Sequence, residues 1–561
     1  MDNLRLILFF ALFFVLFLIW EAWQQDYGPK PQVAATEPSV SVPDAGVPAA
    51  MQPTELPSVA PIESPTPDIA VTPEPPPVQP TRPLASSQRV RVVTDKLDVI
   101  IDTRGGDIRE ADLVAYPVSV KEPDQPFRLM KDELPNLFIG QSGLLPSGTA
   151  PDHTALYTAA KTDYSLTPGS DELRVPLIWQ SEGMTVTKTF IFKRDSHIID
   201  VEHTVVNSGA EPWQGRQYRQ LQRSRPDGSG ESFFIYTYTG GAIYSDEEKF
   251  DKIKFDDMAK SDLSKEIEGG WAAMIQHYFL AAIIPSQEES NHFYTKATQD
   301  ERYILGLYSP PRTVQPGEST TFTSRFYVGP KVQATLEKLA PDLDLTVDYG
   351  ILTIISKPLF WLMELIYSVI HNWGWSIILV TLLIKLAFYP LSAASFRSMA
   401  NMRKLQPKLM AIRERYGDDR KRFSEAMMEL YKTEKINPLG GCLPMLVQIP
   451  VFIALYWVLL ESVELRQAPF ILWIEDLSIR DPYYILPLLM GASMIVQQKL
   501  NPPPTDPVQE KVLMAMPIIF TAFFAFFPAG LVLYWLANSV LSVAQQWYVI
   551  RSVEKKAAPA K

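Results

Sequence analysis

Beyond residue 350 the chain is a succession of long apolar runs separated by short charged loops, and before that point it is polar and largely alternating. The runs are Leu4–Trp20, Ile351–His371, Asn372–Ser392, Leu439–Leu460, Tyr483–Leu500 and Lys511–Ile550. A helix needs roughly 20 apolar residues to cross a bilayer core, so most of these predict one membrane span each. The last run holds enough residues for two spans, and Phe527-Pro528-Ala529-Gly530 divides it into two helices joined by a tight turn. Ile351–His371 is interrupted by Lys357-Pro358, Glu364 and His371, with Ser356 as a nearby cap. Pro358 suits the first turn of a helix. This segment reads either as a span or as an amphipathic helix lying in the interface.

The front half has three textures. Residues 1–24 predict a membrane anchor. Trp20, Glu21 and Trp23 stand where a cleavage site needs small residues, which favours an uncleaved anchor over a signal peptide cut near Ala34–Ala35. Residues 25–85 predict a disordered linker: 16 of the 48 prolines lie between Pro29 and Pro83, and such a segment buries too little apolar surface to offset ordering. Residues 86–345 predict one large antiparallel β-sandwich, from runs such as VRVVTDKLDVIID before the Gly105-Gly106 turn and MTVTKTFIFKRDSHIIDVEHTVVNSG. KVQATLEKLAPDLD (Lys331–Asp344) predicts a short helix leading out of it.

Charge sets the orientation. The formal net charge of −11 and the mean hydropathy of −0.01 say little until divided by region. From Arg397 to Lys435 there are eleven Lys/Arg against six Asp/Glu, and a short loop this basic belongs in the cytoplasm. The stretch Glu461–Pro482 is acidic and is assigned to the opposite side. With the N-terminus inside and the β-domain outside, one crossing separates that domain from the basic loop. Residues 372–392 are then the second span and 351–371 an interfacial amphipathic helix. Residues 393–436 form a cytoplasmic basic helical hairpin, 437–550 the third to sixth spans, and 551–561 a cytoplasmic basic tail. The fold class is an α-helical integral membrane protein of six spans with a large antiparallel β-sandwich domain.

Candidate chemistry is sparse. The single cysteine, Cys442, excludes an internal disulfide. The sequence has no HExxH, no GxxxxGK[ST] and no GxSxG, so no zinc, nucleotide or esterase site is supported, and no cofactor is expected. The feature that stands out is Lys385, an ionisable side chain inside a span, which costs roughly 2.5–3.5 kcal/mol on insertion scales. Thr381 lies one turn before Lys385 and Ser392 two turns after, so all three fall on one helical face. Tyr534, Asn538, Ser542 and Gln545 make a second polar stripe on the last span, and Gln448 adds an amide to the third. Interhelical hydrogen bonding explains such amides and hydroxyls. Lys385 has two open readings: its ammonium lines a hydrated groove open to the cytoplasm, or its stem reaches the headgroups about 10 Å away at ~1.5 Å of rise per residue. Pro444, Pro450, Pro487 and Pro517 free backbone carbonyls, which suits a hydrated cavity. In the basic hairpin, helices over Ser395–Arg415 and Arg420–Lys435 flank Tyr416–Asp419, with Met399, Met402, Met410, Met427 and Met428 at apolar positions.

The segments NPLGGCLPMLVQIPVFIALYW (Asn437–Trp457), DPYYILPLLMG (Asp481–Gly491) and FPAGLVLYW (Phe527–Trp535) resemble the YidC/Oxa/Alb membrane-insertase family. An anchor, a Pro-rich linker and a large β-domain ahead of five core spans is similar to its Gram-negative branch. The resemblance implies an insertase of the bacterial inner membrane, with both termini cytoplasmic, the large domain periplasmic and no nucleotide hydrolysis. It implies a β-sandwich of galactose-mutarotase type, and a substrate groove formed by Lys385, Thr381, Gln448, Tyr534, Trp535 and Asn538. Lys385 stands where many relatives carry arginine, and Trp535 where many carry tyrosine. The implied partners are nascent inner-membrane proteins, the Sec translocon with its SecDF accessory, and the lipid bilayer. Signal recognition particle, its receptor and the ribosome would meet the basic loop; no specific nucleic acid is implied. A Ser/Lys intramembrane peptidase and a secondary transporter are the alternatives from other classes. The first would pair Lys385 with a nucleophile such as Ser392 or Ser395, but Ser392 lies two turns away on the same helix. The second usually needs repeats and several intramembrane charges, and the sequence shows one clear charge and no repeat.

Overall fold

The computed structural model describes residues 84–146, 149–226, 237–416, 419–434, 443–501 and 507–557. The anchor expected at 1–24 and nearly all of the linker expected at 25–85 lie outside these residues. The described chain divides into two units, one of residues 84–350 with Glu461–Gln467, the other of 351–460 and 468–557.

The first unit is a two-sheet β-sandwich, as the alternating runs predict. Among the described residues one sheet has eleven strands and the other nine. Neighbouring strands pair antiparallel, save Arg89–Val93 with Asp163–Ser165. In the nine-stranded sheet, Ile198–Asn207 lies between Met184–Lys193 and Ser319–Pro330. Inward-facing Val186, Phe190, Phe192, Val201 and Phe326 are buried, with polar residues alternating outward, so a period of two places one face in the core. Two short helices belong here, α1 (Phe255–Lys260) and α2 (Gln333–Leu339).

One strand escapes that pattern. Trp213–Ser224 (WQGRQYRQLQRS) is too polar to read as a core strand, yet it lies between Phe138–Pro146 and Arg302–Tyr308 and is buried along nearly its whole length. Several of its side chains are hydrogen-bonded to neighbouring strands, whereas Gln217 Oε1 and Arg223 Nη1 are buried without a partner among the described residues. Gln220 Nε2 donates to Gln141 Oε1 (2.9 Å), Gln141 Nε2 to Asp107 Oδ2 (2.9 Å), and Tyr294 Oη to Gln220 Oε1 (2.7 Å). Buried polar groups of this kind are tolerated only when hydrogen-bonded. Beside this network Lys188, fully buried, donates to the carbonyls of Gly105 (3.0 Å) and Ser142 (2.8 Å). Gly106 has φ +59°, and a Cβ there would stand 2.9 Å from Lys188 Cδ, so the turn needs glycine.

The segment Glu461–Gln467, which reads as the start of an acidic loop, is part of this unit. Lys331 Nζ lies 3.2 Å from Glu461 Oε2, both side chains 2 % exposed. Arg466 Nη2 donates to the Pro117 carbonyl (2.6 Å), and Val463 joins the sandwich core.

The second unit is helical. Its members are α3 (Thr353–Ile370), α4 (Trp373–Ala387), α5 (Tyr389–Tyr416), α6 (Arg420–Thr433), α7 (Leu443–Glu461, whose last residue falls in the first unit), α8 (Ile485–Leu500), α9 (Pro507–Phe524) and α10 (Ala529–Ala557). The 40-residue apolar run is therefore two helices. By length and composition, Gly350–Ile370 is the described helix long and apolar enough to cross a membrane by itself. Its Ile354, Trp361 and Val369 are exposed, while Ser356 Oγ donates to the Ala454 carbonyl of α7 (3.2 Å) and Tyr367 stacks on Trp373 at 4.1 Å.

The expectation of one continuous helix over 372–392 is corrected. α4 ends at Ala387, and the chain turns through 69° into α5. Pro390 is the cause: it offers no N–H to the Leu386 carbonyl and its ring would clash there, whereas the first turn of a new helix accepts it. Ser392 therefore stands on α5 and does not continue the Thr381–Lys385 face. The hairpin expected at 393–436 is α5 and α6, starting earlier than read, with Asp419 capping α6 through Lys421 N and Arg422 N (both 3.1 Å). Gly417 and Asp418 lie outside the described residues. The basic tail read at 551–561 continues α10 as far as Ala557.

α10 packs against α4, α5 and α8, and α9 against α8. Asn372 caps α4, accepting from Trp375 N (3.1 Å) and donating to the Phe470 carbonyl (3.1 Å). The Phe470 ring lies so close over Gly374 that a Cβ would meet it at 2.1 Å. Gly374→Ala is expected to destabilise this unit by about 1–3 kcal/mol through overpacking, with partial recovery in Gly374→Ala/Phe470→Leu, read from denaturant unfolding in detergent.

Burial pushes the Lys188 ammonium down to about 7, against a smaller opposing pull from Asp107. The unfolded chain keeps that proton up to the ordinary lysine value of 10.5. Between those two values the unfolded state binds more protons, so β-domain stability rises with pH there, by up to about 1.4 kcal/mol per unit. Below about 7 the native lysine is charged too and the slope vanishes. Calorimetry of the β-domain transition should show this slope in the wild type and lose it in Lys188→Met.

Candidate functional site

The helical unit brings the last turn of α4 against the middle of α10. Lys385 Nζ donates to Ser542 Oγ at 2.7 Å, and Ser542 Oγ donates in turn to the Asn538 carbonyl at 2.7 Å. The ammonium also lies 6.0 Å from the centroid of the Phe452 ring on α7, within cation–π reach. No described carboxylate forms an ion pair with it. Its charge is thus solvated by a hydroxyl, a backbone dipole and a ring face. The stem turns across to α10 rather than along α4.

The other expected site residues fall around this contact. Tyr534, buried, and Trp535, half-buried, both pack on Phe452, each with ring centroids at 6.1 Å, and Trp535 also meets Phe524 of α9 at 5.4 Å. The Asn538 side-chain oxygen and both amide atoms of Gln545 are buried without hydrogen-bond partners. Gln448 sits one turn before Phe452 on α7, and its Nε2 donates to Ser392 Oγ on α5 at 3.1 Å. Ser392, read on the lysine's face, is instead Gln448's partner. Thr381 is buried one turn from Lys385, and its hydroxyl donates to the Ile377 carbonyl at 2.7 Å. It offers bulk and a small dipole rather than a free hydroxyl.

Lys385, Tyr534, Trp535 and Asn538 therefore converge through Phe452 and Ser542, while Gln448 and Thr381 flank them. Phe452 and the direct role of Ser542 were not singled out from sequence. The signal was present: Phe452 follows Gln448 by four residues on one helical face, and Ser542 lies in the second polar stripe. Among the described residues no group of His, Cys, Asp or Glu is arranged to hold a metal ion.

The helical unit is thus a bundle of apolar helices that holds a lysine ammonium among hydroxyl and aromatic groups, and the other unit is a large β-sandwich. Residues 89–362 match the family description "YidC periplasmic domain", and residues 365–556 match "60Kd inner membrane protein". The chain is 54 % identical to the membrane protein insertase YidC of Thioalkalivibrio sulfidiphilus over 99 % of both chains. It is 52 % identical to that of Methylococcus capsulatus over all of both. A solved structure described as an active YidC insertase with its first transmembrane domain resolved is 19 % identical, with a TM-score of 0.40 over 83 % of this chain and 93 % of that one. On the first two matches and the family descriptions, the chain belongs to the YidC membrane protein insertase family.

If Ser542 holds the ammonium inside the bundle, a water-soluble acylating reagent should modify Lys385 slowly in membranes. Ser542→Ala is expected to speed that modification several-fold, measured by mass spectrometry of the 373–397 peptide; equal rates would indicate a headgroup location for the ammonium.

Proposed function

We propose that this protein inserts apolar segments of newly made proteins into the bacterial inner membrane, alone or beside the Sec translocon, without a nucleotide or cofactor. The observation that carries the reading is the Lys385 ammonium, held between α4, α7 and α10 with no described carboxylate to neutralise it. Such a charge attracts the polar, above all acidic, tail of a client part-way into the bilayer. Transfer of the client's apolar helix out of water then supplies the driving force, at roughly 25 cal/mol per Å² buried. In this reading Thr381, Gln448, Tyr534, Trp535 and Asn538 line a hydrated groove open to the cytoplasm.

The proposed topology has six spans, five of them in the core, with both termini cytoplasmic, the β-domain periplasmic and α3 lying in the interface. What supports it is charge parity: the α5–α6 hairpin carries the basic excess expected of a cytoplasmic loop. That hairpin, with exposed Met410 and Met428, suits contact with the ribosome, the signal recognition particle and its receptor. The SecDF accessory belongs to the same proposed set of partners.

A second reading rests on the 2.7 Å contact of Lys385 with Ser542, the spacing of a Ser/Lys peptidase dyad. Against it, the Ser542 proton is donated to the Asn538 carbonyl, which leaves Lys385 as the donor and not as the base. Insertion of reporters with acidic, neutral and basic tails separates the two. Lys385→Ala is expected to lower insertion of acidic-tailed clients several-fold more than of neutral ones, Lys385→Glu more still, and Lys385→Arg little. Ser542→Ala should retain insertion. Equal insertion by Lys385→Ala, Lys385→Glu and wild type across these clients would remove the charge role, and cleavage of reporters lost in Ser542→Ala would favour the dyad.

A further inference from the structure

The polar strand Trp213–Ser224 leaves one cation unaccounted for. Arg219 has Glu289 at 3.7 Å, whereas Arg223 has no carboxylate partner among the described residues. Arg223 is 7 % exposed. Its Nη2 donates to Gln276 Oε1 (2.5 Å), its guanidinium lies 4.6 Å from the centroid of the Phe138 ring, and its Nη1 is buried with no hydrogen-bond partner. A buried guanidinium lacking an anion is costly, because burial removes its hydration and nothing replaces it. A ring face and one amide oxygen offset only part of that loss.

A cavity of about 80 Å³ opens beside it, walled by Arg223, Phe138, Gln276, Asn136, Lys131 and Arg128 among others. One water needs roughly 10–15 Å³ on the same scale, so the space suits a group of about five heavy atoms. Among the described residues no Asp or Glu lines it. Arg128 is already committed to Asp112 (2.7 Å) and Glu110 (2.5 Å), but Lys131 has no ion pair among the described residues. The described wall therefore presents two cations without an ion pair, an amide donor in Asn136 and an orphaned N–H.

We propose that this cavity in the β-domain binds a small tetrahedral oxyanion, a phosphate or phosphate monoester, held by Arg223 and Lys131. A planar guanidinium pairs well with phosphate oxygens. The phosphate can come from a free ion or from a lipid headgroup, and these sources differ in what the ester adds.

The test is isothermal titration of the full chain in non-ionic detergent, at constant ionic strength with chloride as the reference anion. Inorganic phosphate is expected to bind saturably at one site. Arg223→Gln and, separately, Lys131→Gln should each weaken it by about tenfold or more. Lys131 is half-buried at the rim and leaves Arg223 in place, so its substitution keeps the test valid if Arg223→Gln misfolds. Glycerol 3-phosphate binding at least about tenfold tighter than inorganic phosphate assigns a headgroup ester; equal or weaker binding assigns the free ion. Either result supports the site. No saturable binding by the wild type, or binding by Lys131→Gln equal to wild type, overturns it.

Discussion

The helical unit depends on how one ammonium is kept in an apolar bundle. Lys385 reaches across from α4 to α10, where Ser542 accepts its hydrogen bond and passes the polarity on to the Asn538 carbonyl, while the Phe452 face supports it from α7. Three helices are thereby specified by one side chain. A carboxylate partner would satisfy the charge more fully, but would also cancel its field. In the proposed function, solvation by dipoles leaves that field available to an incoming polar segment. The cost of burial and the proposed function are in this sense the same property.

The 69° turn at Phe388 follows from Pro390 and shapes the surroundings of that lysine. It ends α4 just after Lys385 and sends α5 off at an angle, so Ser392 meets Gln448 of α7 instead of extending the lysine's face. Close approaches elsewhere are set by small residues. Gly374 admits the Phe470 ring, and Gly491 on α8 leaves room for Thr521 on α9, whose hydroxyl a Cβ would meet at 2.0 Å. Such contacts let apolar helices pack closely where no hydrophobic gain separates helix from lipid.

The β-domain manages buried polarity differently. Its central strand Trp213–Ser224 is polar, and the network through Asp107, Gln141, Gln220 and Tyr294 satisfies part of it inside the sandwich. Lys188 is carried by two carbonyls, and burial makes its ammonium easier to deprotonate, down to about 7. The Lys331–Glu461 pair shows the paired solution, with both side chains out of water and the Thr346 carbonyl accepting a further bond from Lys331 (3.1 Å). A network of this kind specifies one arrangement of strands, because any register slip strands several polar groups at once.

Sequence alone determined what periodicity, length and charge encode. Alternation identified the sandwich, run length the apolar helices, and Phe527–Gly530 the break between α9 and α10. The spacing of Tyr534, Asn538, Ser542 and Gln545 marked the wall that Lys385 faces. These features are local or follow a single face, so a one-dimensional pattern carries them. Only the tertiary structure decided which hydroxyl receives the ammonium, that Phe452 supports it, that Ser392 serves Gln448, and that Glu461–Gln467 belongs with the β-domain. It also turned the polar run Trp213–Ser224 into a core strand. The reason is common to all of them: a buried polar group is acceptable or not according to a partner far away in the chain, and the choice of partner is made by packing, which no local pattern records.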